Sequence, residues 1–331
     1  MLTGPMTAIP PTTSVRSRPG FADRYGPWAL VAGASEGLGA AYARALAARG
    51  LNLVLVARRL PLLKALAQEI TAQSEVEVCC LDGDLSERAF LEGLQAACAG
   101  LEVGLIVYNA AYAPIGEFAS TPPDDLLHVV AVNVRAPVTL VRAFLPGMSA
   151  RGRGGIILMT SLAGNQGSPH ISTYAASKAF NRVLAEGLWY ELKDKGVDVL
   201  ACCAGAVRTP GYSGAAAGKD APGTLDPQEV VEQALRALGR GPVVIPGRLN
   251  RVANFLMSRL LPRRWAISIM AGNTGDLAPA VPTASAPPTI TPPPAAAGPA
   301  PAAAPAAPSA AAAPSMSAAR PADQPPTKDA S

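Results

Sequence analysis

Along most of the chain, short apolar runs alternate with longer stretches of helical period. Ala29–Ala32 (ALVA), Leu51–Ala57 (LNLVLVA), Val76–Leu81 (VEVCCL), Val103–Tyr108 (VGLIVY), Gly155–Thr160 (GIILMT) and Val243–Ile245 each read as a strand. A further strand-like run surrounds Cys202-Cys203. Helical stretches lie between them, at Ala40–Arg49, Leu62–Gln73, Glu87–Cys98, the segment opened by Pro122-Pro123-Asp124-Asp125, the run TYAASKAFNRVLAEGLWYEL, and Asp226-Pro227 through Leu238. Strands that are apolar throughout are buried on both faces, and strict strand–helix alternation puts the helices there. The pattern predicts an α/β fold, a doubly wound parallel sheet of about seven strands in a single domain over 26–275, with a C-terminal helical extension at 249–271.

Two strand ends carry unusual chemistry. The first run breaks into Gly33, Ser35, Gly37, Leu38 and Gly39, spaced G-x-x-x-G-x-G, and a helix starts at once. Free backbone N–H groups and the positive end of the helix dipole point out of such a turn, and the missing side chains let a pyrophosphate reach the backbone. The second strand ends in Arg58-Arg59, where an acidic residue would hold the ribose of NAD. A guanidinium there suits a 2′-phosphate, so the expected cofactor is NADP(H) rather than NAD(H). The competing reading leaves both arginines as solvated surface residues, and Glu36 inside the glycine turn argues mildly against a phosphate. The third strand ends at Asp84-Leu85, where Asp84 either accepts from an adenine amino group or caps the helix after Ser86. The fourth stops at Asn109-Ala110-Ala111, small enough for a ring or ribose to pass close by.

Tyr174 and Lys178 are four apart on the predicted helix and share one face. A phenol titrates near pH 10, and an ammonium held nearby typically lowers it by about one to three units, which makes it a usable acid/base. Ala175, Ala176 and Ser177 fill the gap between the two. Ser161, at the end of the fifth strand, is placed to orient a carbonyl oxygen. Asn133 is a polar residue inside an apolar helix, and is either a structural tie or a functional group.

Together these motifs resemble those of the classical short-chain dehydrogenase/reductase family over about residues 26–245. AGASEGLG resembles its glycine turn, Asn109-Ala110-Ala111 its N-[NA]-A-G segment, and Ser161, Tyr174 and Lys178 its catalytic triad. Asn133 matches its fourth catalytic residue, which implies a water-linked proton relay through Lys178. Ala204–Thr209 (AGAVRT) resembles P-G-x-V-x-T, whose Val207 and Thr209 positions hold the nicotinamide carboxamide. Ala32, Ala111 and Ala204 depart from the pattern at supporting positions. The resemblance implies an NADP(H)-dependent oxidoreductase that moves the pro-S hydride between nicotinamide and a carbonyl or alcohol substrate. Tyr174 would be the acid/base, and Lys178 would also contact the nicotinamide ribose. The alternative is a catalytically silent NADP-binding scaffold or redox sensor, associated with a membrane surface in one version.

Composition narrows the rest. The chain has 331 residues and a net charge of +4, too mild to point to nucleic acid. No run reaches about 18 consecutive apolar residues, so no segment is expected to span a membrane. Five cysteines and no apolar secretion-signal core in the first residues suggest a reducing, cytoplasmic setting. The pairs Cys79-Cys80 and Cys202-Cys203 read as core, and no metal site is expected. Residues 1–25 read as a flexible arm, and 276–331, rich in Ala and Pro, as a disordered tail. In 249–270, apolar residues alternate with Arg251, Arg259, Arg263 and Arg264, which suits peripheral contact with a membrane or a segment folded over the cleft or a partner subunit. The expected partners are a small carbonyl or alcohol substrate and further copies of the chain, as a homodimer or homotetramer.

Overall fold

The computed structural model describes residues 20–215 and 220–275. The expected tail, 276–331, and residues 1–19 of the expected arm lie outside the described residues. Seven strands, β1 Trp28–Ala32, β2 Asn52–Ala57, β3 Val78–Asp82, β4 Val103–Tyr108, β5 Gly154–Ser161, β6 Val197–Ala204 and β7 Val243–Val244, form one sheet. Its order is β3-β2-β1-β4-β5-β6-β7, parallel throughout. The chain thus works outward from β1 in one direction, then returns past it to β4, which leaves a crevice at the carboxyl ends of β1 and β4.

The helices follow the expected alternation: α1 Phe21–Tyr25, α2 Gly37–Ala47, α3 Leu60–Thr71, α4 Arg88–Ala97, α5 Pro123–Val130, α6 Ala136–Arg151, α7 Ser172–Leu192, α8 Pro210–Ala215, α9 Pro227–Ala237, α10 Arg248–Phe255 and α11 Arg263–Gly275. They cover two apolar layers. Ala29, Val31, Leu53 and Leu55 point to one side with Tyr42 and Leu46 of α2, while Leu30, Val54, Val56 and Ile106 point to the other with Leu140 of α6. Residues of a strand alternate faces, so fully buried strands of Val and Leu are what two covering layers require.

The expected arm ends earlier than residue 25. Helix α1 is pinned because Tyr25 is buried and donates to Asp198 Oδ2 at 2.7 Å, while Arg24 pairs with the same carboxylate at 2.6 Å. Room for Tyr25 is made by glycines: a Cβ at Gly155 would lie 2.9 Å from its ring. Cys202 and Cys203 are buried as expected, but Cys79 is exposed and Cys80 only partly covered, because β3 is an edge strand.

Helices α5 and α6 are one rod joined by a π turn at Ala131–Arg135. By length and composition the rod could cross a bilayer, contrary to the sequence expectation, but Val129, Ala136, Leu140 and Met148 turn inward to the protein core. The wider turn frees carbonyls from the helical ladder. Val132 O accepts from the Tyr108 hydroxyl, and Asn133 O from Asn181 Nδ2 at 2.9 Å. Side chains thereby engage two of the carbonyls that the irregularity presents.

Candidate active site

The carboxyl ends of β1, β2, β4, β5 and β6 open into a cleft of about 1230 Å³. Gly33, Ser35, Gly37, Leu38, Arg58, Arg59, Asp84, Leu85, Asn109, Ser161, Tyr174, Lys178, Val207 and Thr209 all line it. Asn133 stands one layer behind.

The glycine turn is bare backbone for a visible reason. Gly33 and Gly37 adopt φ of +82° and +56°, and a Cβ on Gly33 would lie 2.6 Å from Ala110 N. On Gly37 it would lie 2.8 Å from Thr209 Cγ2, so the Val207–Thr209 segment leans across the turn from the far side. Gly39 packs so closely on β1 that a Cβ would overlap Gly33 O. Asn109 Nδ2 donates to Gly33 O at 2.9 Å and ties the end of β4 to the same turn. This cradle, at a helix N-terminus and with no side chain at positions 33, 37 and 39, fits the pyrophosphate of a nicotinamide dinucleotide.

Arg58 and Arg59 behave differently. Arg59 pairs with Glu36 Oε1 at 2.7 Å and donates to Ser35 Oγ at 3.0 Å, so the carboxylate that argued against a phosphate is paired with an arginine. Arg58 is exposed and, among the described residues, has no ion pair, which leaves its guanidinium available to a ligand phosphate. Asp84 closes a turn ahead of α4 and does not cap it: its Oδ1 accepts from Ser86 N at 2.7 Å, while the helix begins at Arg88 with Glu87 as its N-cap. Burial raises the Asp84 carboxyl, but the Ser86 hydrogen bonds and nearby His128 and Arg58 outweigh it and leave it below the usual carboxylate range.

Helix α7 brings Tyr174 and Lys178 onto one face, toward Ser161 at the end of β5. Lys178 is 3% exposed, its Nζ donates to Met159 O at 3.0 Å, and it stands 5.5 Å from the centre of the Tyr174 ring. Burial alone pushes its ammonium down to about 8. Burial likewise pushes the Tyr174 phenol above its ordinary value, with the Ser161 hydroxyl drawing it part of the way back. The lowering expected from the ammonium is not seen: Ser161, and not Lys178, is the group that draws the phenol down, and burial leaves it raised. A partly buried phenol with a raised pKa and a buried ammonium with a depressed one, facing one cleft, are groups suited to giving and taking a proton.

Two residues gain roles that local spacing did not reveal. Ser177, read as a small filler, accepts from Asn133 Nδ2 at 3.0 Å and donates to Tyr174 O at 2.7 Å. Asn181, fully buried, holds the Asn133 carbonyl. Asn133 itself exchanges hydrogen bonds of 2.8 and 2.9 Å with the backbone of Tyr112, so its amide is a tie between the β4 exit loop and α7. The signal was present: 174, 177, 178 and 181 form one polar helical stripe among apolar neighbours.

The remaining wall comes from the C-terminal extension. Asn250, Ala253, Asn254 and Met257 on the α10 side, and Met270 and Thr274 of α11, face the cleft. Asn250 is buried and donates to Gly223 O and Pro246 O. From the loop at 211–223, Tyr212, Asp220, Ala221 and Pro222 line the cleft, and Arg208 pins Asp220 and Asp226 at 2.7 and 2.8 Å. Residues 216–219 of that loop lie outside the described residues.

Comparison with known proteins agrees with this geometry. The short chain dehydrogenase family profile matches residues 27–219. A 7beta-hydroxysteroid dehydrogenase of Clostridium sardiniense is 33% identical over 233 residues, 70% of this chain and 89% of that protein. A structure described as giving insight into 7beta-hydroxysteroid dehydrogenase stereoselectivity superposes with a TM-score of 0.72 at 30% identity, covering 76% of this chain and 99% of the other. A short-chain dehydrogenase from Sphingobium yanoikuyae in complex with NADPH does so with a TM-score of 0.63 at 33% identity, over 71% and 97%.

Proposed function

This chain belongs to the short-chain dehydrogenase/reductase family and is an NAD(P)-dependent oxidoreductase, and from that premise we propose that it is NADP(H)-dependent and works on a carbonyl/alcohol pair with Tyr174 as the acid/base. The observation that carries the reading is the convergence of Ser161, Tyr174 and Lys178 on the cleft that the glycine turn opens into. The same convergence leaves the silent-scaffold alternative without an observation of its own.

Gly33 and Gly37 would hold the pyrophosphate, with Gly39, which does not line the cleft, letting the helix approach the turn; Arg58 would hold the 2′-phosphate, and Val207, Thr209 and Lys178 the nicotinamide end. When bound, the nicotinamide supplies or accepts the hydride. The protein's own residues do the rest. Ser161 donates a hydrogen bond to the substrate oxygen and holds it beside the Tyr174 hydroxyl. Tyr174 gives that oxygen its proton during reduction, and the raised affinity of the desolvated phenol for its proton keeps it loaded at neutral pH. Lys178, as an ammonium, stabilises the phenolate left behind. Asn133, Ser177 and Asn181 fix the helix that presents both groups.

The cleft's apolar walls, with Leu162, Ile171 and Met257, suit a bulky apolar carbonyl, and two of the compared proteins bear the name 7beta-hydroxysteroid dehydrogenase. A ketone of steroid size is therefore the first substrate class to screen. Five free cysteines suit a cytoplasmic setting. Self-association is part of the reading, since Val130, Val138, Val183 and Tyr190 leave α5–α6 and α7 with exposed apolar side chains.

Tyr174→Phe removes the hydroxyl and leaves the ring. General acid/base groups contribute about 10²–10⁴-fold, so turnover with NADPH should fall by at least about 100-fold at unchanged NADPH affinity. Retained turnover would place the proton donor elsewhere.

A further inference from the structure

The outer face of the C-terminal extension is unlike the rest of the surface. Val252 is 55% exposed, Phe255 57%, Leu260 64% and Trp265 57%, with Leu249 and Leu256 beside them. Large side chains this exposed and this close together mark a contact surface rather than scattered surface residues. The inner face of the same helix is fully engaged, because Asn250, Asn254 and Met257 are turned into the cleft wall. The apolar face therefore has no partner within the described residues.

What it would bind is indicated by charge. Arg248, Arg251, Arg259, Arg263 and Arg264 border the face, and no acidic residue occurs from Arg248 to Gly275. Among the described residues, none of the five forms an ion pair, although the structure pairs arginines readily elsewhere, as at Arg44, Arg49 and Arg208. A second copy of the same face would bring arginine against arginine with no carboxylate between them, so self-pairing is opposed by like charge. Nucleic acid would answer the arginines but would leave the Leu and Phe side chains uncovered. A layer with negative headgroups over an apolar interior answers both, with Trp265 at the depth where indole rings settle. We propose that the outer face of α10–α11 docks on an anionic lipid surface, with the C-terminal wall of the cleft lying against the membrane.

The test uses the full-length protein and extruded vesicles, with no cofactor or substrate, so its result is independent of the reductase reading. Vesicles of phosphatidylcholine with about one third phosphatidylglycerol should sediment the protein at low salt, and vesicles of phosphatidylcholine alone should not; binding should weaken as salt rises. Trp265 is the exposed tryptophan, Trp28 being 8% exposed and Trp189 partly buried, so emission should shift to the blue on binding. Two variants locate the surface: Arg259→Gln with Arg264→Gln, and Leu256→Ser with Leu260→Ser. None of these residues lines the cleft, and each pair should lower the vesicle partition coefficient by about 10-fold or more. Absence of binding to the anionic vesicles at low salt would overturn the proposal, as would binding that survives both pairs. Capture by polyglutamate in place of vesicles would assign the face to an acidic protein and would also overturn it.

Discussion

Replacing Lys178 with Met removes a charge that the fold buries at a cost, so the variant should be more stable than the parent. Lys178 is 3% exposed and, among the described residues, has no carboxylate partner, only the Met159 carbonyl. Its fall from 10.5 to about 8 corresponds to about 3 kcal/mol of preference for the neutral form in the folded protein, at about 1.4 kcal/mol per tenfold change. Against this, the variant gives up a hydrogen bond from a charged donor, about 1.5–3 kcal/mol. The net gain at pH 7 is on the order of 1 kcal/mol, or roughly 2–4 °C in Tm for a domain of this size. Its pH dependence follows from linkage. The unfolded chain keeps its proton up to about 10.5 and the folded one only to about 8, so between those values the unfolded state binds more protons and the parent gains stability as pH rises. The advantage of Met should therefore be full below about pH 8 and shrink steadily above it. Thermal unfolding of both proteins by circular dichroism from pH 6 to pH 10 measures this directly. A variant less stable than the parent at pH 7, or a difference that stays constant across the range, would refute the burial argument.

Arg58→Asp should invert cofactor preference: a charge-assisted bond of about 1.5–3 kcal/mol favours NADPH by roughly 10- to 150-fold, and equal NADPH and NADH dissociation constants in the parent would defeat the assignment. Glu36→Gln should act in the opposite sense, tightening NADPH by a few-fold as Arg59 is released from an exposed pair of about 0.2–1 kcal/mol, with NADH unchanged. Light scattering should report a dimer or tetramer that Val183→Glu on α7 weakens; a monomer at micromolar concentration would leave that face without a partner.

Much of the fold could be read from local pattern. Strand runs such as LNLVLVA and the helical period from Thr173 to Leu192 depend on neighbours within a few residues. The geometry that joins Tyr174 to Lys178, or places Gly33 between a strand and a helix, is set by backbone period alone. Those features are determined by the amino-acid sequence itself. Arg58 could be placed at the rim for the same reason, since it directly follows a buried strand.

What the sequence left open depends on which distant segments meet. Nothing near Arg59 indicates that Glu36 will engage it, because that pair exists only once β2 lies beside β1. Asp84 was ambiguous until the Ser86 amide was seen to occupy it. Asn181 reaches the Asn133 carbonyl only because a π turn frees that carbonyl and α7 packs against it. The extension at 249–271 divides into a cleft-lining face and an exposed one according to where β7 ends and the chain turns back, and Tyr25 is buried because glycines on β4 and β5 leave it room. Local periodicity is written by covalent geometry within one or two turns of chain. Long-range pairing is decided by strand order and by competition among many weak contacts, which only the folded arrangement resolves.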